Sequence, residues 1–588
     1  MGMVEPGSTD GKSGQVLDLM PWDITVRSAS LRRQACELLD RPDADRAIQA
    51  LSELEIYYVI KDLGLEDSGA FLSVIEPEKI QALIDLDVWH GERVDLDDLL
   101  TWLVSFKEAS TERLSIAARV LDPELLALLL RRRLLVAARL PEDQETDLPS
   151  WVLEPDESIL PLVETPDRRF FIAARTEDPG GAEEEPKQID EEDRKALLEL
   201  INDLYRDEDF EFVSSLLRMA ETDLDAALED TARRFRESRL EDLGFPPAER
   251  AMEVYGPLDP DRALAAPEPR FDPTEMRLPA IHASRISDGL LRDALRAIED
   301  PVRVRAIESE LLPLANAVMV ADRVEPGDLE RIRDVLDRLR AYLELALTHG
   351  VGPEPIVEVA RRRLETCSLR TLFRAGYTIT LKLATSARAL IERGAFRVGA
   401  DPLGLLEEVD RGAVEALLTR RPMCSTGLEG ARPPGTRPFR TPADVKRVRG
   451  ALDELAALAA AAEALGLGAA SLALGEGVEP PLPGERSLDL LLTTATARAI
   501  LGEPFAPVPL DRVALDALAA QVVGRGFPEA AVARAVAAAE ATSGAAPGSA
   551  LGQRLRRNLR DLGDALAPFT GRHDLDPRFI GGVVRRLH

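Results

Sequence analysis

The residues able to do chemistry in this chain do not gather into a motif. Gly7 to Ser13 ends in Gly11-Lys12-Ser13, like a phosphate-binding loop, but its spacing is one residue short and no strand precedes it. Such a loop works by aiming backbone N–H groups and a lysine at phosphate, so the shortened spacing removes the cradle. Asp259-Pro260-Asp261 opens like a calcium loop. Leu264 then stands where the sharp turn needs glycine, and Arg270 where a bidentate glutamate belongs. No HExxH pair, nucleophile elbow or kinase set occurs, and Ser425-Thr426-Gly427 completes none of them. Asp97-Asp98 and the pair Asp207 and Asp209 could exchange protons with a substrate only if the fold buried them together. In so acidic a chain they read as helix caps or solvated groups. Trp89-His90, with Trp102 nearby, reads as a structural contact. Cys36, Cys367 and Cys424 are far apart, and the five histidines are scattered, which is neither a disulfide framework nor a zinc site. No catalytic or cofactor-binding residue is therefore expected, and no cofactor. Metal ligands are left open.

Charge narrows the partners. The formal net charge is −31, and from about residue 431 onward acids and bases nearly cancel, so the excess lies before that point. Such a surface repels nucleic-acid backbones and anionic lipid. The basic clusters, Arg131-Arg132-Arg133 and Arg361-Arg362-Arg363, sit in amphipathic stretches with acidic surroundings and no interleaved aromatics. They read as solvated faces or ion-pair partners of neighbouring helices. The most apolar stretch, Ala451–Leu474, is interrupted by Asp453, Glu454 and Glu463 and falls short of a membrane span. Met1 to Asp23 carries Asp10, Asp18 and Asp23 with no apolar core of a signal peptide. A reducing cytoplasm is the expected location.

The elements are mainly α-helical. Aromatics are few, and Leu, Ala and Val dominate the apolar set, which favours helix packing. Order is expected to begin near Ala29–Leu39. A weak repeat follows. Ser52-Glu53-Leu54-Glu55 is a capping box opening an apolar helix that stops at Gly64. Glu76-Pro77-Glu78 opens the next, with proline suited to the first turn. Asp97-Asp98 precedes a third, and Asp122-Pro123-Glu124 a fourth, Leu125 to Leu135. The starts recur about every 23 residues. Shorter helices fit between them, at Ala44–Leu51 and Ser68–Ile75. Each piece has too little apolar surface to stand alone, so stacking into a short-helix solenoid is expected.

Seven segments result: a flexible tail at 1–28, the superhelical repeat at 29–145, and a small β element with an acidic mobile loop at 146–194. A helical region with a proline-rich loop spans 195–280, and a helical domain 281–421. A linker at 422–442 then precedes an alanine-rich helical domain at 443–588. The β signal is a hairpin insert near 150–175, drawn from Trp151-Val152-Leu153, Ile159 to Val163 and Phe170-Phe171-Ile172, with a turn at Thr165-Pro166-Asp167. Gly376, between Phe373 and Tyr377, would let another helix approach closely.

Ile75-Glu76-Pro77-Glu78 and Leu121-Asp122-Pro123-Glu124-Leu125 resemble a phrase of the cytoplasmic N-terminal domain of MgtE-type magnesium transporters. The likeness covers about 31–140 and implies a superhelix of short helices. It does not imply transport, since no membrane domain follows, and it brings no magnesium ligands. The whole chain also looks like an uncharacterised bacterial family of long helical proteins, on Leu243-Gly244-Phe245-Pro246 and Leu372-Phe373-Arg374-Ala375-Gly376-Tyr377. That likeness implies no activity.

The functional expectation is a non-catalytic interaction or regulatory scaffold whose acidic helical surface meets a protein partner. The alternatives are a helical enzyme with acidic groups in a cleft, or a sensor of divalent cations or a small ligand sited between helical regions. The identity of any small ligand is left open.

Overall fold

The computed structural model describes residues 39–140, 148–154, 161–179, 186–206, 210–266, 289–468, 478–479, 487–571 and 580–586. The expected tail and the helix at Ala29–Leu39 lie outside them, apart from Leu39 itself. The fold is mainly α, with a few short antiparallel strand pairs. The chain divides into two compact units. The first comprises residues up to Gly256, Glu268–Leu339 and Ser368–Arg370; the second comprises Pro257–Pro267, Arg340–Cys367 and Thr371 onward.

The first unit begins with the short helices. Helix α1 (Glu53–Leu63) carries the capping box: Ser52 Oγ accepts from the Glu55 N–H, and the Ser52 N–H donates to Glu55 Oε2 at 3.0 Å. It ends at Gly64, whose φ of 91° suits glycine. Helices α2 (Gly69–Val74), α3 (Pro77–Asp87), α4 (Leu96–Ala109), α5 (Thr111–Val120) and α6 (Pro123–Arg133) follow. Each of α1 to α4 packs on the helix two places on, α1 on α3, α2 on α4, α3 on α5 and α4 on α6. Ile56, Phe71, Leu83, Leu99, Phe106 and Leu125 are buried between them. Each such side chain contributes roughly 1.5–3 kcal/mol of burial that an isolated helix would forgo.

The caps differ from expectation in one place. Asp97-Asp98 does not precede α4. Asp95 is the cap, accepting from the N–H groups of Asp97 and Asp98 at 2.9 and 3.1 Å, which puts the pair inside the first turn. A two-stranded hairpin, Trp89–His90 with Arg93–Val94, lies between α3 and α4 and makes the repeat uneven.

Later helices close the stack. Helix α9 (Asp225–Asp242) packs on α3 and α6, α8 (Phe210–Thr222) on α6, and α7 (Glu191–Arg206) on α4 and α5. Arg239 of α9 joins two short helices at once. Its Nε donates to Asp85 at 2.6 Å, and its Nη2 reaches Asp122 at 2.5 Å. Gln81 completes the junction, donating to Asp85 at 2.8 Å and accepting from the Asp122 N–H at 2.8 Å. Arg236 donates to the Asp85 carbonyl at 2.9 Å and lies over the Trp89 ring.

The expected hairpin is present between Val163–Glu164 and Phe170–Ala174, and a third strand from Leu134–Ala138 joins it. Trp151-Val152-Leu153 lies in a single helical turn, Ser150–Leu153, started by Pro149, whose carbonyl accepts from Val152 and Leu153. Ile159 and Leu160 lie outside the described residues, while Val163 is in a strand. The expected turn is present: Thr165 and Phe170 exchange backbone and hydroxyl hydrogen bonds around Asp167. The sheet has three strands in the order β1 (Leu134–Ala138), β3 (Phe170–Ala174), β2 (Val163–Glu164), with Ala138 opposite Phe170. Strand β1 follows Arg133 directly, where α6 was expected to continue to Leu135. Its leucines suit either structure, and pairing with β3 decides. Glu191, Glu192 and Asp193 were expected in a mobile loop but form the first turn of α7, where acidic side chains offset the helix dipole. Glu183-Glu184-Glu185 lies outside the described residues.

In the second unit, Arg340–Thr348 and Thr371–Arg393 meet at Gly376. A Cβ placed there would stand 1.9 Å from the Tyr342 carbonyl oxygen. Phe373 and Tyr377 flank the glycine and pack on the Tyr342 ring at 5.3 and 5.8 Å between centroids. The contact expected from sequence is present, with Tyr342 as partner. Helices α10 (Glu408–Leu418), α11 (Pro442–Ala464), α12 (Leu488–Ile500), α13 (Glu529–Ser543) and α14 (Ala550–Leu566) follow. Helix α12 is buried on nearly every side. Its Thr494 and Thr496 hydroxyls are satisfied by donating to the carbonyls of Leu490 and Leu492, both at 2.6 Å. The segment 422–442 is not an extended linker. Cys424–Ser425 pairs with Thr436–Arg437, and Cys424 and Phe439 are fully buried. Its prolines and glycines form turns around that pair, and Arg437 ties it to Asp444 at 2.8 Å. Among the described residues no helix is long and apolar enough to cross a membrane.

Gly376→Ala forces the Tyr342 backbone away and should lower unfolding free energy by about 1–3 kcal/mol or more. Denaturant melts of the two proteins measure this, and an unchanged midpoint contradicts the close approach.

Candidate functional site

The strongest gathering of ionisable groups lies in the second unit. Arg554 projects from α14 and is almost wholly buried. Its Nε and Nη2 donate to the two oxygens of Asp489 at 2.5 and 2.7 Å, a bidentate fork. Its Nη2 also donates to Asp410, and Glu454 lies 3.5 Å from Nη1. Asn558, one turn on, donates to Asp489 at 3.0 Å and to the Thr493 hydroxyl at 3.1 Å. Arg557 takes the remaining charge of Glu454. Four helices thus supply the cluster: α10 gives Asp410, α11 Glu454, α12 Asp489 and α14 the arginines.

Glu407, at the N-cap of α10, completes it. The residue is exposed, but its carboxyl comes within 4.8 Å of those of Asp410 and Asp489. Loss of water around that carboxyl and the nearby Asp489 charge push its pKa up to about 7; Arg554 opposes the rise and Asp410 adds to it. Burial likewise raises Asp410, against the pull of Arg554. The three carboxylates converge as cation ligands would, but Arg554 already supplies a cation among them. The cluster can hold a proton near neutrality and fix four helices around one guanidinium.

A second gathering lies on the first unit. His90 Nε2 is 3.2 Å from Asp98 and Nδ1 is 3.2 Å from Glu325, with Asp95 at 3.9 Å. Partial burial would lower the His90 pKa, but the hydrogen bonds its ring donates to Glu325 and Asp98 outweigh it and raise the imidazole above its ordinary value. His90, Asp95 and Asp98 could present one nitrogen and two oxygens to a cation.

The residues singled out in the sequence are mostly occupied elsewhere. Asp97 and Asp98 part company: Asp97 binds Arg133 at 2.7 Å and Lys187 at 2.5 Å, while Asp98 faces His90. Arg131 pairs with Asp225, and Arg132 with Asp178 at 2.8 Å. Arg361 pairs with Glu358 and Glu365, and Arg362 with Glu354. Arg363 donates to the carbonyls of Ala346, Leu347 and His349, capping the helix Leu329–Thr348. Asp259 caps the helix Pro260–Ala265, and Asp261 lies 2.9 Å from His349 Nε2, so the near-calcium loop is a helix start. Ser425 Oγ accepts from the Gly427 N–H. Burial pushes the Cys424 thiol up to about 11, which keeps it protonated and unreactive. Cys36, Asp207 and Asp209 lie outside the described residues.

Glu407→Gln should reveal the raised carboxyl. Below about pH 4.5 the carboxyl is protonated in folded and unfolded chains alike. Between the ordinary value of 4.5 and about 7 the folded chain keeps a proton that the unfolded chain has lost, so stability falls as pH rises through that window. Melts should match at pH 4, and the variant should melt higher than the parent at pH 8. Parallel curves across the range contradict the assignment.

No curated protein and no solved structure matches the chain. A family model does match, over residues 18–586, nearly the full length. The chain therefore belongs to a family of unknown function, DUF6178.

Proposed function

We propose that this protein is a non-catalytic interaction or regulatory scaffold whose acidic helical surface receives a protein partner with a basic face. The observation that carries the reading is the fate of the arginines. Both arginine triplets, Arg239 and Arg554 are engaged by carboxylates or helix-end carbonyls inside their own units. Asp43, Asp45, Glu66, Asp67, Glu78, Glu108 and Glu112 of the short-helix region stand exposed. A surface so arranged raises the encounter rate with a basic face and disfavours nucleic acid. Short stacked helices also offer a broad contact area without a deep cleft. Cys367 and Cys424, both buried and neither in a disulfide, fit a reducing cytoplasm.

The test is affinity purification from native extract at about 50 and 500 mM salt, where screening shortens the reach of exposed charges. It compares the parent with a variant carrying Asp43→Asn, Asp45→Asn, Glu66→Gln, Asp67→Asn and Glu78→Gln. One specific protein should accompany the parent at low salt, fade at high salt, and be depleted at least tenfold in the variant. Isolation of the parent as a partnerless chain at both salts contradicts the proposal.

A further inference from the structure

The short sheet and helix α7 line a half-open pocket of about 540 Å³ within the first unit. Val163 and Ile172 of the sheet and Leu198 and Ile201 of α7 give it apolar walls, and Arg194 and Lys195 stand beside them on the helix. A volume of this size suits a small organic molecule.

Arg194 is the informative group. Its Nε is buried and has no hydrogen-bond partner, and among the described residues its guanidinium makes no ion pair. An unsatisfied buried donor is costly, and a charged one more so. Among the described residues, that absence stands out beside so many carboxylates. The acids at the rim do not fill the role: Glu164 is bound by Arg139, Glu199 lies 2.7 Å from Lys107, and Glu191 is exposed at the helix start. Lys195 reaches Glu199 only at 3.9 Å and is largely exposed, so a second cation is available near the same opening.

We propose that this cavity binds a small monocarboxylate with an apolar body. The carboxylate pairs with the Arg194 guanidinium, whose planar fork matches two carboxylate oxygens. The apolar body lies against Val163, Ile172, Leu198 and Ile201. Both features are needed: an apolar amide leaves Arg194 unpaired, and a bare anion leaves the walls wet. The site is distinct from the acidic surface proposed for a protein partner, so either reading can fail without the other.

Calorimetric titration of the full chain with octanoate, octanamide and inorganic phosphate tests this. Octanoate should bind saturably at one site. Octanamide and phosphate should each bind at least tenfold more weakly. Arg194→Gln should weaken octanoate at least tenfold while leaving octanamide unchanged. Leu198→Trp, which fills the cavity from a partly exposed position, should abolish octanoate binding with an unaltered circular dichroism spectrum. The proposal is overturned if octanoate does not bind, if octanamide or phosphate binds as well as octanoate, or if folded Arg194→Gln protein binds octanoate like the parent.

Discussion

Arg239 is the constraint on which the front of the molecule depends. Six short helices bury their apolar faces against one another, yet none is long enough to hold itself in water. Asp85 is 1% exposed on α3, and burial raises its pKa even though Arg239 is in place. Asp122 sits at the start of α6. One guanidinium from α9 spans both carboxylates, so a helix distant in sequence locks two members of the stack in register. Removing one partner of such a buried pair is typically worth about 3–5 kcal/mol, because the other charge is left uncompensated. Arg554 does the same work in the second unit, where Asp410 and Asp489 come from different helices.

The same economy of charge shapes the exterior. Several arginines, among them Arg133, Arg239 and Arg554, pair with carboxylates inside the fold. What remains outside is disproportionately acidic. The acidity outside follows from the net charge of −31. In the run Arg131-Arg132-Arg133, each charge is matched within the fold.

Much of the fold was legible from local chemistry. The Ser52–Glu55 box, the stop at Gly64, Pro77 and Pro123 at helix starts, and Gly376 as a crossing point rest on contacts within a few residues or on one missing Cβ. What was not legible depended on distant partners. Leu134–Ala138 becomes a strand only because Phe170–Ala174 pairs with it, and its composition suits a helix equally. The segment 422–442 has the residues of a linker, and only the burial of Cys424 and Phe439 shows that it is folded in.

The ionic clusters were missed because their members lie far apart in sequence, as with Asp410, Asp489 and Arg554. A signal did exist. Arg554 falls on the stripe of Leu551, Leu555, Leu559 and Leu562, Asp410 on that of Ala413, Val414 and Leu417, and Asp489 within a run of leucines. A charge on an apolar stripe asks for a buried partner. Arg239 should lock the short helices and α9 into one cooperative body. Native-state hydrogen exchange on the parent and Arg239→Met tests this. Amides across 53–133 and 225–242 should share one opening free energy and lose protection together in the variant. Independent protection of the individual helices, unchanged by the substitution, would contradict it.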